Sequence, residues 1–370
     1  MHAIRAAVSM PLSRIFTTYQ VTDNCIPLTA FYRFLLDRGV ALPEMALRLP
    51  IVLSGLLLLI AVPAFLVDRI GRRAALFLAW LLALSPILAL YSGILRSYMP
   101  VALLGSLAVL AFESWWRTGR SRSAAGYVVA AALAVWFHLG ATPLVAAPFL
   151  FALGDLAVRE DRGRRLRRLL LLAAAVAGSI ALLIAPAAPS LLQLIATKHG
   201  HQPIPGRTLL AVLSLQAGTA RPLLIALFWL ATLCGFLLLL RRDRRLGVYT
   251  LCLVGGQLLG ILLLSPIGLP HPLIFDRYLI PILPVLLLWT AVALAYLSER
   301  FAAVGWGLAA FFLLALAVSG PFADPHFRAS SFRLSNDFVG FYQPRATLPP
   351  EAVPAFYRRL GAARDGGAVL

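Results

Sequence analysis

The sequence predicts an all-α, polytopic membrane bundle of about ten transmembrane helices, with amphipathic helices and a short tail on its outer side. Three observations carry this. The 370 residues are 61% hydrophobic and 13% charged, with a mean hydropathy of +0.86, too little polar surface for a chain that faces water. Apolar stretches of about 17–22 residues recur, each long enough as helix to cross a hydrocarbon core of roughly 30 Å. The loops between them alternate between arginine-rich and arginine-poor.

The chain opens with residues 1–46, an extracytoplasmic loop on this reading. Its start is neither a signal peptide nor a span, because its longest uncharged stretch is the eight residues between Arg5 and Arg14. Residues 27–38 form an interfacial amphipathic helix, with Leu28, Phe31 and Leu35 on one side and Arg33, Asp37 and Arg38 elsewhere. Arg48-Leu49-Pro50 opens the first span, where an early proline costs little. The membrane domain, 47–320, holds stretches near 49–67, 74–92, 99–116, 123–138, 141–157, 169–188, 222–240, 246–265, 278–297 and 301–320. A polar, aromatic tail, 321–370, follows.

Loop charge assigns the sides. DRIGRR (68–73), RTGRSR (117–122), REDRGRRLRR (159–168), RRDRR (241–245) and SER (298–300) hold seventeen arginines. GILRSYM (93–99), the turn at His138–Thr142, the 189–221 loop and 266–277 hold five basic residues. The positive-inside rule puts the first set in the cytosol and the second outside. Between Arg122 and Arg159 lie 36 residues with arginine-rich ends on one side, so parity makes them a hairpin of two short helices. WFHLGATP (136–143) breaks it, with Gly140 and Pro143 as punctuation and His138 at the outer tip. The same parity puts both termini outside and predicts one more helix before Met1.

Composition also narrows function. The net charge of +18 reports loop topology and does not indicate nucleic-acid binding. One of the 33 basic residues is a lysine, Lys198, and with the abundant Ala, Leu and Gly this points to a GC-rich bacterial genome. Cys25, Cys234 and Cys252 show neither disulfide nor metal spacing. No Gly-rich nucleotide loop is present, which argues against a nucleotide-sugar donor. The spans carry almost nothing ionisable at depth: Glu113 and Asp155 lie near cytoplasmic ends, where they snorkel, and Gln257 is neutral. Ion-coupled transporters keep charges at that depth, so transport of that kind is disfavoured.

Polar chemistry gathers instead on the outer side. TDNCIPLTAFY…LPEMALRLPIVLSGLLLLIA, ALSPILALYSGILRSY, AVWFHLGATPLVAAP and FDRYLIPILP occur there in order over roughly 20–300. This pattern resembles the C-type (GT-C) membrane glycosyltransferases, in the bacterial branch that includes lipid A aminoarabinose and galacturonosyl transferases and protein O-mannosyltransferases. The resemblance implies transfer of a sugar from a polyprenyl-phosphate donor to an extracytoplasmic lipid, glycan or protein, generally with inversion, at the outer side of the inner membrane. It places Asp23, Asn24 and Pro27 in the loop carrying acceptor and catalytic groups, with Asp23 as the carboxylate. It places Arg96, Tyr98, His138 and Arg277 around the donor phosphate, flanked by Tyr278. Two departures stand out. The family often has His-Pro where this chain has Cys25-Ile26, and its first catalytic carboxylate follows an N-terminal helix that this chain lacks.

Each residue has a plainer reading beside the functional one. Asp23 is also a turn or cap residue; Arg96 is also a plain loop arginine; His138 also fits a backbone hydrogen bond. Arg277 reads either as a donor-phosphate fork held by Asp276 or as a surface partner of Asp276. Arg48 reads as an interfacial anchor or as part of the acceptor loop, and Lys198 and His201 read as acceptor-loop residues or as solvated members of a polar loop. His199-Gly200-His201 lacks a third mapped ligand, so no metal site is assigned, and a divalent cation stays open because some members of the superfamily use one. Expected partners are the lipid-linked sugar, membrane lipids and the acceptor. The rival readings are a lipid-linked glycan flippase or transporter, and a truncated inactive copy that binds lipid.

Overall fold

The computed structural model describes residues 2–19, 25–40, 44–158, 160–200 and 202–319, with backbone alone for 2–5 and 44. Asp23, Asn24, His201 and the 321–370 tail lie outside the described residues. The α-helices, in chain order, are α1 (His2–Ser9), α2 (Leu12–Thr17), α3 (Ile26–Asp37), α4 (Glu44–Ile70), α5 (Arg72–Leu84), α6 (Pro86–Gly93), α7 (Tyr98–Thr118), α8 (Ser121–Phe137), α9 (Thr142–Leu156), α10 (Arg162–Ile184), α11 (Ala188–Lys198), α12 (Gly206–Ala217), α13 (Pro222–Arg242), α14 (Arg244–Leu264), α15 (Pro272–Leu279), α16 (Leu283–Arg300) and α17 (Ala302–Ser319).

Each of the ten apolar stretches coincides with helix. Among the described residues, eight helical segments are long and apolar enough to cross a membrane, and nine if the bent α5–α6 pair is one span. The remaining stretch is α8, an apolar helix of 17 residues. The α5–α6 pair bends by 53° where Pro86 begins a new helix and the Ser85 hydroxyl accepts the Leu88 N–H at 3.4 Å. The α8–α9 hairpin forms where the sequence breaks: α8 ends at Phe137, His138 is extended, and a 3₁₀ turn at Leu139–Ala141 leads into α9 with Pro143 in its first turn.

The Pro272–Arg300 segment is the axis of the bundle. Of its apolar window 89% is buried, against 17% for both Arg162–Lys198 and Ala302–Ser319, whose leucines face outward as lipid-facing helices do. Close to one end, Phe112 is ringed by Trp115, Trp116, Tyr127, Phe149 and Tyr249. The Tyr249 hydroxyl donates to Val109 O at 2.5 Å, so the buried phenol is satisfied. At this arginine-rich end Arg69 joins Glu113 at 2.6 Å and also Asp243, which caps α14 through the Leu246 N–H at 3.0 Å. Asp155 accepts from Trp116 Nε1 at 2.8 Å. Glu113 and Asp155 therefore do not simply snorkel; they are half-buried partners that tie helix ends together.

Two elements differ from the sequence expectation. The helix at 27–38 is present as α3, but its buried side is Ile26, Leu28, Thr29, Ala30 and Tyr32, while Phe31 is 42% exposed. α1 and α2 pack against it, and the Tyr32 hydroxyl donates to Leu47 O at 2.5 Å, so tertiary contacts choose the face. The 189–221 stretch is not a loop but two helices, α11 and α12. Pro186 and Pro189 do not break the chain there because each sits in the first turn of its segment, where no N–H is needed.

Candidate functional site

Five short pieces of chain converge at the arginine-poor end. The turn between α6 and α7 brings Arg96, the first turn of α7 brings Tyr98, and the α8–α9 turn brings His138. The last residue of α11 is Lys198, and α15 carries Arg277 and Tyr278.

The rings interlock. Tyr98 lies 5.0 Å from Tyr91 and 5.3 Å from His138, and His138 lies 5.8 Å from Tyr278, all between centroids. The Arg277 guanidinium carbon stands 5.9 Å from the Tyr98 ring and 5.2 Å from the Tyr278 ring, a placement that aromatic faces favour for a cation. Arg96 and Arg277 both act electrostatically on His138 and on Lys198, so three cations share one neighbourhood. His138 itself is buried, and burial, together with Arg277 and Arg96, pushes its pKa down to about 3. It is therefore neutral near pH 7. Its Nδ1 accepts the Gly140 N–H at 3.0 Å, which leaves the proton on Nε2 as a donor. Gly140 is required by space: a Cβ there would come 2.8 Å from His138 Nδ1 and 3.0 Å from Tyr278 Cδ1.

Asp276 departs from expectation. Neighbours on a helix point about 100° apart, so Asp276 and Arg277 cannot share a face. Asp276 turns into the core, fully buried, where its Oδ1 accepts from Gln216 Nε2 of α12. It does not hold Arg277. Of the other expected site residues, Arg48 is half-buried, with Nη1 3.7 Å from where a Gly93 Cβ would stand, just before the turn that carries Arg96. Pro27 belongs to the first turn of α3, not to a loop. His199 hydrogen-bonds Leu264 O through Nδ1 at 3.0 Å. Among the described residues no group of three or more His, Cys, Asp or Glu is placed to hold a metal ion.

Two residues matter here that sequence reasoning passed over. Gln257 of α14, fully buried, donates through Nε2 to Gly140 O at 3.1 Å and Tyr278 O at 2.8 Å. Gln216 is the partner of Asp276. A lone amide in an apolar span was the available signal for Gln257; Gln216 lies in a stretch that reads as loop and gave none.

Fold and site define a multi-pass, all-α membrane protein with a cationic, tyrosine-lined cluster at one end. No protein-family model matches the chain, and no curated protein sequence matches it. Its fold is similar to that of ArnT from Cupriavidus metallidurans, whose crystal structure has undecaprenyl phosphate bound. The TM-score is 0.56 at 17% identity, over 92% of this chain and 59% of that one. The likeness is one of fold, and this chain spans about 59% of the length of ArnT.

Proposed function

We propose that this protein is an inverting membrane glycosyltransferase that moves a sugar from a polyprenyl-phosphate donor to an acceptor outside the cytoplasmic membrane. The observation that carries the reading is the meeting of Arg96, Arg277 and Lys198 over a tyrosine and histidine floor at the arginine-poor end. The positive-inside rule makes that end the outer one, where the phosphate of an outer-leaflet lipid lies. The fold shared with ArnT, which was solved with undecaprenyl phosphate, supports a polyprenyl-phosphate partner.

The chemistry follows from charge. An acceptor oxygen attacks the anomeric carbon as the bond from that carbon to the phosphate oxygen breaks. The acceptor proton passes to a carboxylate, for which Asp23 is the candidate. The phosphate begins as a monoanionic diester and leaves as a monoester with more negative charge. Cations that face it therefore bind the departing group more strongly than the ground state, which is the condition for acceleration. Arg277 supplies a planar fork for two phosphate oxygens, and neutral His138 offers Nε2–H without adding charge.

The test is to reconstitute the protein with a polyprenyl-phosphate sugar and an outer-membrane lipid extract as acceptor. Free polyprenyl phosphate should appear in step with glycosylated acceptor and be absent with Arg277→Ala. Donor moved intact across the bilayer, with no free polyprenyl phosphate, would replace this reading by the flippase one.

A further inference from the structure

We propose that Gln257 is a positioning residue, a buried amide that clamps the His138 turn to the Arg277–Tyr278 helix and thereby sets the spacing of the groups around the phosphate. Its role toward phosphate rests on the donor-site reading above; the clamp itself rests on geometry.

Three observations converge on it. First, one nitrogen bridges two separate pieces of the site, reaching Gly140 O at 3.1 Å and Tyr278 O at 2.8 Å from a third element, α14. Each carbonyl has a proline three residues further on, Pro143 and Pro281, which has no N–H to return in a tight turn. The amide supplies a donor where the backbone three residues on has none.

Second, α14 is shaped to bring Gln257 within reach. Gly260 sits where a Cβ would stand 2.3 Å from Pro143 Cβ, and Gly256 where one would stand 2.6 Å from Ala147 Cβ. The absence of side chains at these positions lets α14 lie directly against the start of α9. Movement of the turn is then felt at once, because both the His138 and the Tyr278 rings stand close enough to Gly140 to crowd any Cβ placed there.

Third, Gln257 is a poor choice for stability alone. It is fully buried, and its Oε1 has no hydrogen-bond partner among the described residues. A leucine of similar volume would remove that unpaired oxygen, and its only loss in hydrogen bonding would be the two carbonyls that the amide nitrogen joins. The amide is explained by what its nitrogen holds together.

The experiment uses purified full-length protein in nanodiscs, with undecaprenyl phosphate as the probe. Gln257→Leu, Arg277→Ala and the double variant are compared for affinity, Tm and the ¹⁵N resonances of His138. Gln257→Leu should weaken binding about tenfold and move the His138 resonances, with a modest fall in Tm from the two carbonyls that lose their donor. In the Arg277→Ala background it should add nothing, since a positioning residue acts through the group it positions. An unmoved His138 signal, wild-type affinity in Gln257→Leu, or fully additive losses in the double variant would each overturn the clamp. If wild type and Arg277→Ala bind the probe equally, the donor-site reading fails instead. The His138 signal then decides the clamp by itself, supporting it if Gln257→Leu shifts the resonance and overturning it if not.

Discussion

Arg277 stands between two tyrosine rings, at 5.9 Å from one and 5.2 Å from the other, and those rings fix where its charge sits. On the proposed reading, lysine would keep the charge but lose the fork offered to two phosphate oxygens. Arg277→Lys should therefore lower transfer about 100-fold, near the cost of losing one transition-state donor, while membrane expression is unchanged. Wild-type turnover in that variant would remove the fork from the mechanism. His138 gives a pH prediction. Burial first, and then Arg277 and Arg96, hold it neutral down to about pH 3 in the native state, whereas an unfolded histidine titrates near 6.5. Between those values the unfolded chain binds a proton that the native one does not. Stability is thus full above about pH 6.5 and falls as the pH drops toward 3, by about 2 kcal/mol at pH 5. His138→Gln, which has no such proton to take up, should lose less Tm between pH 7 and pH 5 than wild type. At this scale the sequence was half legible. That Arg96, Tyr98, His138, Arg277 and Tyr278 lie at one end was readable from the arginine-poor turns that hold them, whereas their place around a donor phosphate came from the resemblance alone. Asp276 was misread because adjacency in sequence is not adjacency on a helix. Gln257 was missed because its partners are backbone carbonyls, which no side-chain pattern reports.

Among the elements, α13 and α16 pack backbone to backbone. A Cβ on Gly235 would stand 1.7 Å from Trp289 O, so the two backbones touch, and Thr232 and Thr290 hydrogen-bond beside the contact at 2.8 Å. Small residues permit such approach in a bilayer, where no hydrophobic drive pushes helices together. Gly235→Ala must part the two helices and should cost about 1–3 kcal/mol, as overpacked contacts do, seen as a lower Tm in detergent. Gly255 is the control, since a Cβ there meets nothing within 4 Å; Gly255→Ala should leave Tm unchanged or raise it, because alanine favours helix. An equal loss in both variants would mean that the α13–α16 contact does not set the effect. Elements of this kind were legible wherever long apolar runs end in arginines, and the 123–157 hairpin followed from length and parity alone. α11 and α12 were not, since prolines and polar residues there resemble a loop until their first-turn positions are known. The inward face of α3 was likewise hidden, because α1 and α2 take up a side that periodicity assigns to the bilayer.

Along the whole chain, charge is segregated by loop: one alternating set of loops holds seventeen arginines and the other five basic residues. The second group is not scattered. Three of its members, Arg96, Lys198 and Arg277, act within one cluster. An end that topology keeps poor in cations has nevertheless concentrated most of those it has, and this asymmetry gives the site its direction. It faces whichever side the arginine-rich loops do not. Sidedness is thus testable independently of catalysis, with Cys25, Cys234 and Cys252 first replaced by alanine or serine. Thr197 is exposed next to Lys198, and Ser121 is exposed at the opposite end. In intact spheroplasts, Thr197→Cys should react with a membrane-impermeant maleimide, while Ser121→Cys should react only after the membrane is opened. The reverse pattern would put the cluster in the cytosol. Its arginines would then face the inner leaflet, and an outward-facing lipid-linked sugar could not reach them however well the fold superposes on that of ArnT.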